Sequence, residues 1–219
     1  MDEIIDSYQT VSKDSEGIYR DRGSKFLAYV HSVPNLEVVD DYLNFYRSEN
    51  PKANHVCFAY RIDPLGSLYR ASDDGEPSGS AGKPIYNELL SKNLTNVLVA
   101  VVRFFGGTKL GVSGLINAYK SATQIALSQN QIVTKYIYQE AKVQFDHSQT
   151  GQVYHSLKHL NIDILDQELG LENWIKIGVR KSKYAEVETN FLAHFHGTSI
   201  EHVLHDNFQS NIKLIKHES

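Results

Sequence analysis

The chain has 219 residues, 41% of them hydrophobic and 22% charged, ordinary globular usage that excludes a disordered or fibrous protein. At about 150 residues per domain, the length predicts one large domain or two small ones. Twenty-two basic against 26 acidic residues leave a net charge of −4, so the surface is not uniformly positive and any anionic ligand must be held by a local patch.

A single cysteine, Cys57, makes neither an intrachain disulfide nor a cysteine zinc cage and points to a reducing, cytosolic compartment. The start, Met1-Asp2-Glu3-Ile4-Ile5-Asp6, is acidic and lacks the basic flank and apolar stretch of an export signal, which predicts a cytoplasmic protein. The longest uninterrupted apolar run, Val97 to Val102, is far short of the ~20 residues that span a bilayer, so no membrane partner is expected.

In chain order, the alternation around Tyr19, Phe26, Ala28 and Val30 predicts a strand pair turned near Arg22-Gly23-Ser24. Leu36, Val39, Tyr42, Leu43 and Tyr46 recur at helical spacing on a stretch that ends before Pro51. A strand over Val56 to Ile62, a turn at Asp63-Pro64-Leu65-Gly66 and a strand from Leu68 to Ala71 form a hairpin. Ser72 to Lys83 has no large apolar side chain and is expected to be a surface loop, with Pro84 opening a helix to Leu94. Val97 to Val102 predicts a central strand buried on both faces. The glycine-rich loop Gly106 to Gly114 follows it, and then a helix with Leu115, Ala118, Tyr119, Ala122, Ile125 and Ala126 on one face.

After Gln131 the glycine loops give way to plain amphipathic segments, and eight of the ten histidines lie beyond Asp146. These changes place a domain boundary near Thr134, giving domains at 1–134 and 135–207 and a tail at 208–219. The second domain scans as strand (Tyr138 to Phe145), helix (Ser148 to Leu160), strand (Ile162 to Leu169), strand (Trp174 to Arg180), helix (Tyr184 to Phe195) and strand (Ser199 to Leu204). That βαββαβ order is the ferredoxin-like split βαβ, and the chain as a whole is of the α+β class.

No Asp or Glu occurs between Glu88 and Glu140, whereas Lys92, Arg103, Lys109, Lys120 and Lys135 do, five positive charges within an acidic chain. A glycine loop at a helix start offers backbone N–H groups and the positive end of the helix dipole to an anion. Gly106, Gly107, Lys109 and Gly111, with Arg103, are the candidate anion site, joined by Lys83, Ser78 and Ser80 of the other loop. The loop is not a Walker A motif, because Val112-Ser113 stand where Lys and Ser/Thr are required, and no G-x-G-x-x-G fits it. Asp73, Asp74 and Glu76 are candidate acidic partners: meeting Lys83 or Lys109 they would suit a hydrolase, whereas solvated turn residues are the plainer reading. His155 with His159, His194 with His196, and His202 with His205 have ligand-like spacings but no inserted Glu, so no metal is assigned. Cys57, two residues from His55, is read as a buried inert thiol, and neither a catalytic residue nor a cofactor is assigned.

The segments Ser72-Asp73-Asp74-Gly75-Glu76-Pro77-Ser78-Gly79-Ser80-Ala81-Gly82-Lys83-Pro84-Ile85 and Asn96-Val97-Leu98-Val99-Ala100-Val101-Val102-Arg103-Phe104-Phe105-Gly106-Gly107-Thr108-Lys109-Leu110-Gly111 closely resemble the signature of the Impact/YigZ family. Lesser matches at Arg22 to Val30 and Ala53 to Arg61 extend the resemblance over about residues 17–130, and the rest resembles the small C-terminal domain of bacterial members. The resemblance implies an N-terminal β-α domain like those of ribosomal proteins and translational GTPases, and a ferredoxin-like C-terminal domain similar to the last domain of elongation factor G. Translation is the shared theme. Eukaryotic relatives regulate a starvation-responsive kinase through an additional N-terminal domain for which this chain has no room. The combined expectation is a cytosolic RNA- or ribosome-binding protein with a translation-related regulatory role. The alternatives are a hydrolase of a phosphorylated or nucleotide substrate, or a protein-interaction module in translation control that docks on the C-terminal sheet.

Overall fold

In a computed structural model of the chain, we describe residues 5–170, 172–205 and 207–216. The sequence readings on the acidic start and on the tail therefore fall partly, at 1–4 and 217–219, outside the described residues. The chain divides into two compact units: Ser7–Lys135, and Ile5 and Asp6 with the described residues from Tyr136 onward.

The first unit runs β1 (Ser7–Val11), β2 (Ser15–Asp21), β3 (Ser24–Ser32), α1 (Leu36–Glu49), β4 (His55–Ile62), β5 (Leu68–Ser72), α2 (Gly82–Ser91), β6 (Val97–Phe104), α3 (Gly111–Ser128) and β7 (Ile132–Tyr136). Its main sheet has the order β2-β3-β6-β4-β5 and is antiparallel throughout. Strand β6 lies at the centre, as its unbroken apolar run predicts. Residues at alternate positions point to opposite faces. Val97, Val99 and Val101 pack with Ile85 and Leu89 of α2 and Leu115, Tyr119 and Ala122 of α3. Leu98, Ala100 and Val102 pack with Val39, Leu43 and Tyr46 of α1. Helices on both sides explain why an antiparallel strand reads like a doubly buried parallel one.

Local chemistry sets the element ends. Asn35 Oδ1 accepts from the Val38 N–H at 3.1 Å and caps α1. Pro84 is the third residue of α2, where a missing N–H costs nothing, because the first four are unpaired within the helix anyway. Strands β1 and β7 pair with each other in a separate two-stranded ladder, and neither follows from the local pattern.

The second unit runs β8 (Tyr138–Phe145), α4 (Thr150–His159), β9 (Asp163–Glu168), β10 (Asn173–Arg180), α5 (Tyr184–His196), a one-turn helix α6 (Ile200–Val203) and β11 (Lys213–Lys216). Sheet order β11-β8-β10-β9, all pairs antiparallel, gives the βαββαβ arrangement. Ala141, Val143, Ile175 and Ile177 of the sheet pack with Val153 and Leu157 of α4 and Phe191 and Phe195 of α5.

Two expectations about its end are corrected. The final strand is not Ser199 to Leu204: Gly197 ends α5 at φ 63°, and Ser199 Oγ then accepts from the His202 N–H and caps α6. The stretch read as a tail instead supplies β11, paired with β8 from Lys213↔Gln144 to Lys216↔Ala141. Among the described residues, no helix is long and apolar enough to cross a membrane.

Candidate functional site at the glycine-rich loops

The loop from Asp73 to Ala81 is built around two carboxylates. Asp73 Oδ2 accepts from the Gly79 N–H at 2.8 Å, and its Oδ1 accepts from the Ala81 and Gly82 N–H groups at 2.9 and 2.8 Å. Burial pushes the Asp73 carboxyl up, yet these three donors outweigh it and hold the group below the ordinary 3.8. Asp73 thus occupies the anion position at the start of α2 with a charge from the chain itself.

Glu76 is buried and sits at a junction. Arg103 Nη1 donates to Glu76 Oε1 at 2.5 Å, and Tyr119 Oη donates to the same oxygen at 2.7 Å. The Arg103 guanidinium also lies 5.5 Å from the Phe26 ring centre and 5.7 Å from that of Phe105, and its buried Nε has no acceptor among the described residues. His55 Nδ1 lies 2.7 Å from the Asp74 carbonyl oxygen, which only accepts, so this nitrogen carries the proton; Nε2 stands 3.9 Å from Glu76. Cys57 Sγ lies 3.2 Å from Tyr119 Oη and 3.0 Å from the Asp73 carbonyl. Burial pushes the Cys57 thiol and the Tyr119 phenol strongly up, so neither is a ready nucleophile or base.

The second loop has the opposite character. Gly106 N–H donates to Ser24 Oγ at 3.1 Å and Phe105 N–H to Asn54 Oδ1 at 2.8 Å, which anchor its entry. Beyond them, the N–H groups of Gly107, Thr108, Lys109 and Leu110 have no intrachain acceptor among the described residues. Gly107 and Gly111 hold φ of 89° and 75°, a region that favours glycine. Helix α3 begins without a side-chain cap and without an acidic residue in its first turn. Lys109 is exposed and has no ion-pair partner among the described residues.

The predicted residues therefore separate. Arg103 and Glu76 come together, buried, as each other's counter-ion. Asp74 turns to the Val56 N–H at 2.7 Å and to Arg47 at 3.7 Å. Ser80 is buried with its hydroxyl on the Pro77 carbonyl, whereas Ser78 is exposed. Lys83 lines a cleft of about 360 Å³ with Gly79, Asn87, Glu88 and Lys120. Among the described residues, no hydrogen bond or ion pair joins Lys83 or Lys109 to Asp73, Asp74 or Glu76. Tyr119 and His55 are the members of the network that the sequence reading did not place there. Tyr119 sits on an apolar helix face, and its only signal was a hydroxyl among alanines and leucines.

With this geometry in view, the comparisons decide the family. The profile of the Impact N-terminal domain matches residues 22–127. An IMPACT family member of Haemophilus influenzae is 34% identical over 146 residues, which cover 66% of this chain and 71% of that protein. The chain belongs to the IMPACT family. Among other IMPACT proteins, YigZ of Escherichia coli is 27% identical over 180 residues, covering 81% of this chain and 88% of its own. A crystal structure described as that of a hypothetical protein aligns over 98% of this chain and 99% of its own, at 25% identity and a TM-score of 0.69. The IMPACT profile thus spans β3 through most of α3, including both glycine-rich loops.

Proposed function

We propose that this IMPACT protein is a cytosolic RNA- or ribosome-binding protein with a translation-related regulatory role, which takes an anionic group at the Gly106–Gly111 loop. The observation that carries the reading is an internal contrast. At α2 a carboxylate of the chain fills the helix start, while at the longer α3 the start is uncapped and exposed Lys109 stands beside it. Backbone N–H groups, the positive helix end and a lysine are the groups that receive phosphate. Of the cations in the acid-free stretch from Glu88 to Glu140, Arg103 is paired with Glu76 and Lys120 with Glu88, so the positive charge left beside this loop is that of exposed Lys109. The translational part of the reading rests on the resemblance of the two loop motifs to the Impact/YigZ signature.

The hydrolase alternative required a carboxylate within reach of Lys109, and no such contact supports it. The protein-interaction alternative rests on β9, an edge strand exposed along its whole length. Co-sedimentation of the purified chain with ribosomes and with total RNA, at low and high salt, distinguishes these readings. Binding that weakens steeply with salt and is lost in Lys109→Glu is expected. Salt-resistant binding retained by Lys109→Glu would move the contact to a protein surface. Absence of binding at low salt would overturn the proposal.

A further inference from the structure

The opposite face of the first unit's sheet, under α1, carries a cleft that none of the glycine-loop residues reaches. Its volume is about 550 Å³, within the range of small-molecule sites, and it is lined by Asp14, Ser15, Glu16, Tyr29, His31, Phe45, Tyr46, Glu49 and Asn50. Tyr29 and His31 are alternate residues of β3 and so share this face, while Phe45, Tyr46 and Glu49 come from the helix above it.

The floor is an aromatic stack held by polar contacts. Tyr29 and Tyr46 rings lie 4.2 Å apart at 18°, and His31 stacks on Tyr42 at 3.7 Å and 13°. His31 Nε2 is 2.6 Å from Tyr46 Oη, and its Nδ1 is 2.9 Å from Asp14 Oδ2. Phe45, 54% exposed, adds a large apolar wall that packing against the core does not account for. Burial lowers the His31 pKa more than Asp14 raises it, so the imidazole brings no positive charge at neutral pH.

The walls carry charge of one sign. Asp14, Glu16 and Glu49 are all exposed carboxylates, the lining includes no Lys or Arg, and none of the three lies within 4 Å of a lysine or arginine nitrogen among the described residues. Aromatic faces attract cations through the ring quadrupole, and carboxylates at a cleft mouth concentrate them. Three carboxylates around an aromatic floor match several ammonium groups joined by methylene spacers better than they match one charge. Such spacers lie against the exposed Phe45 ring while the ammonium groups reach the rim.

We propose that the cleft between β3 and α1 is a binding site for an aliphatic polyamine, held by the exposed Phe45 ring and by Asp14, Glu16 and Glu49 above the Tyr29–Tyr46 stack. It is independent of the anion site, and the two readings fail separately.

Calorimetric titration of the full chain with spermidine, putrescine, choline and magnesium chloride tests it. Saturable one-to-one binding is expected for spermidine, weaker binding for putrescine, and none above background for choline. Magnesium lacks methylenes to lay on the rings and should not displace spermidine at equal concentration. The double variant Glu16→Gln/Glu49→Gln and the single variant Phe45→Ala change exposed side chains, and each should weaken spermidine at least tenfold. Lys109→Glu should leave it unchanged. Equal competition by magnesium with no effect of Phe45→Ala would reduce the cleft to an acidic surface and overturn the proposal. So would a lysine-rich peptide that binds where spermidine does not, because it would make the cleft a protein contact.

Discussion

Arg103 and Glu76, 27 positions apart, meet at 2.5 Å in a part of the first unit that both bury almost completely. The pair fastens the middle of the Asp73–Ala81 loop to the end of the central strand. Removing two charges from water is costly, and their attraction offsets this only while both are present.

Glu76→Ala should therefore destabilise the first unit by about 3 to 5 kcal/mol, because it leaves a guanidinium buried without a counter-ion. Glu76→Ala combined with Arg103→Met should recover most of that loss, since an apolar replacement of both partners removes the desolvation cost as well. Urea unfolding of the two variants and the parent measures both values. A double variant as unstable as the single one would mean that Glu76 acts mainly as the acceptor for Tyr119 Oη and not as the counter-ion of Arg103.

His31 gives the unit a pH dependence whose sign follows from its surroundings. Burial, the larger influence, lowers its pKa from the ordinary 6.5, and Asp14 opposes the shift without reversing it. The unfolded chain thus binds the proton first as the pH falls, so the stability from neutral His31 is fully present above about 6.5 and declines below it. The parent should lose more stability between pH 7.5 and 5.5 than His31→Gln does, as read from urea midpoints at the two pH values. Parallel losses in the two proteins would assign the dependence to other groups.

Gly106 stands back to back with the β2–β3 turn: a Cβ built on it would fall 1.9 Å from the Gly23 carbonyl carbon and 2.1 Å from the Ser24 nitrogen. Backbone cannot yield as a flexible side chain does, so Gly106→Ala should cost about 3 kcal/mol or more. Gly107→Ala meets open space and is opposed only by its φ of 89°, a cost of about 1 to 2 kcal/mol. Thermal unfolding of the two variants separates a steric glycine from a conformational one within a single loop.

Sequence patterns carried most of the architecture because most of it is local. The β2–β3 hairpin, α1, β6 and α3 announce themselves by period, by unbroken β-branched runs or by flanking glycine. What the patterns hid depends on partners distant in sequence. Strands β1 and β7 are five residues each and are defined by one another across the whole unit. The Lys213–Lys216 strand is lysine at both ends and looks like a tail until β8 pairs with it. The two glycine-rich loops were legible as a place, but their chemistry was not. Nothing in the spelling distinguishes Asp73, spent on three backbone donors, from Asp74 beside it, nor says that Arg103 would be neutralised inside while Lys109 stays outside.

The β1–β7 ladder ties the first strand of the Ser7–Lys135 unit to its last. During synthesis, β1 must wait for more than a hundred following residues before its partner exists, so this ladder is the last part of the unit to close and the slowest kind of contact to form. The same pairing leaves the two ends of the unit side by side. A short linker between them, with new ends opened in the exposed turn at Pro51–Lys52, would give a circular permutant in which β1 and β7 become a hairpin and the slow long-range closure becomes a fast local one.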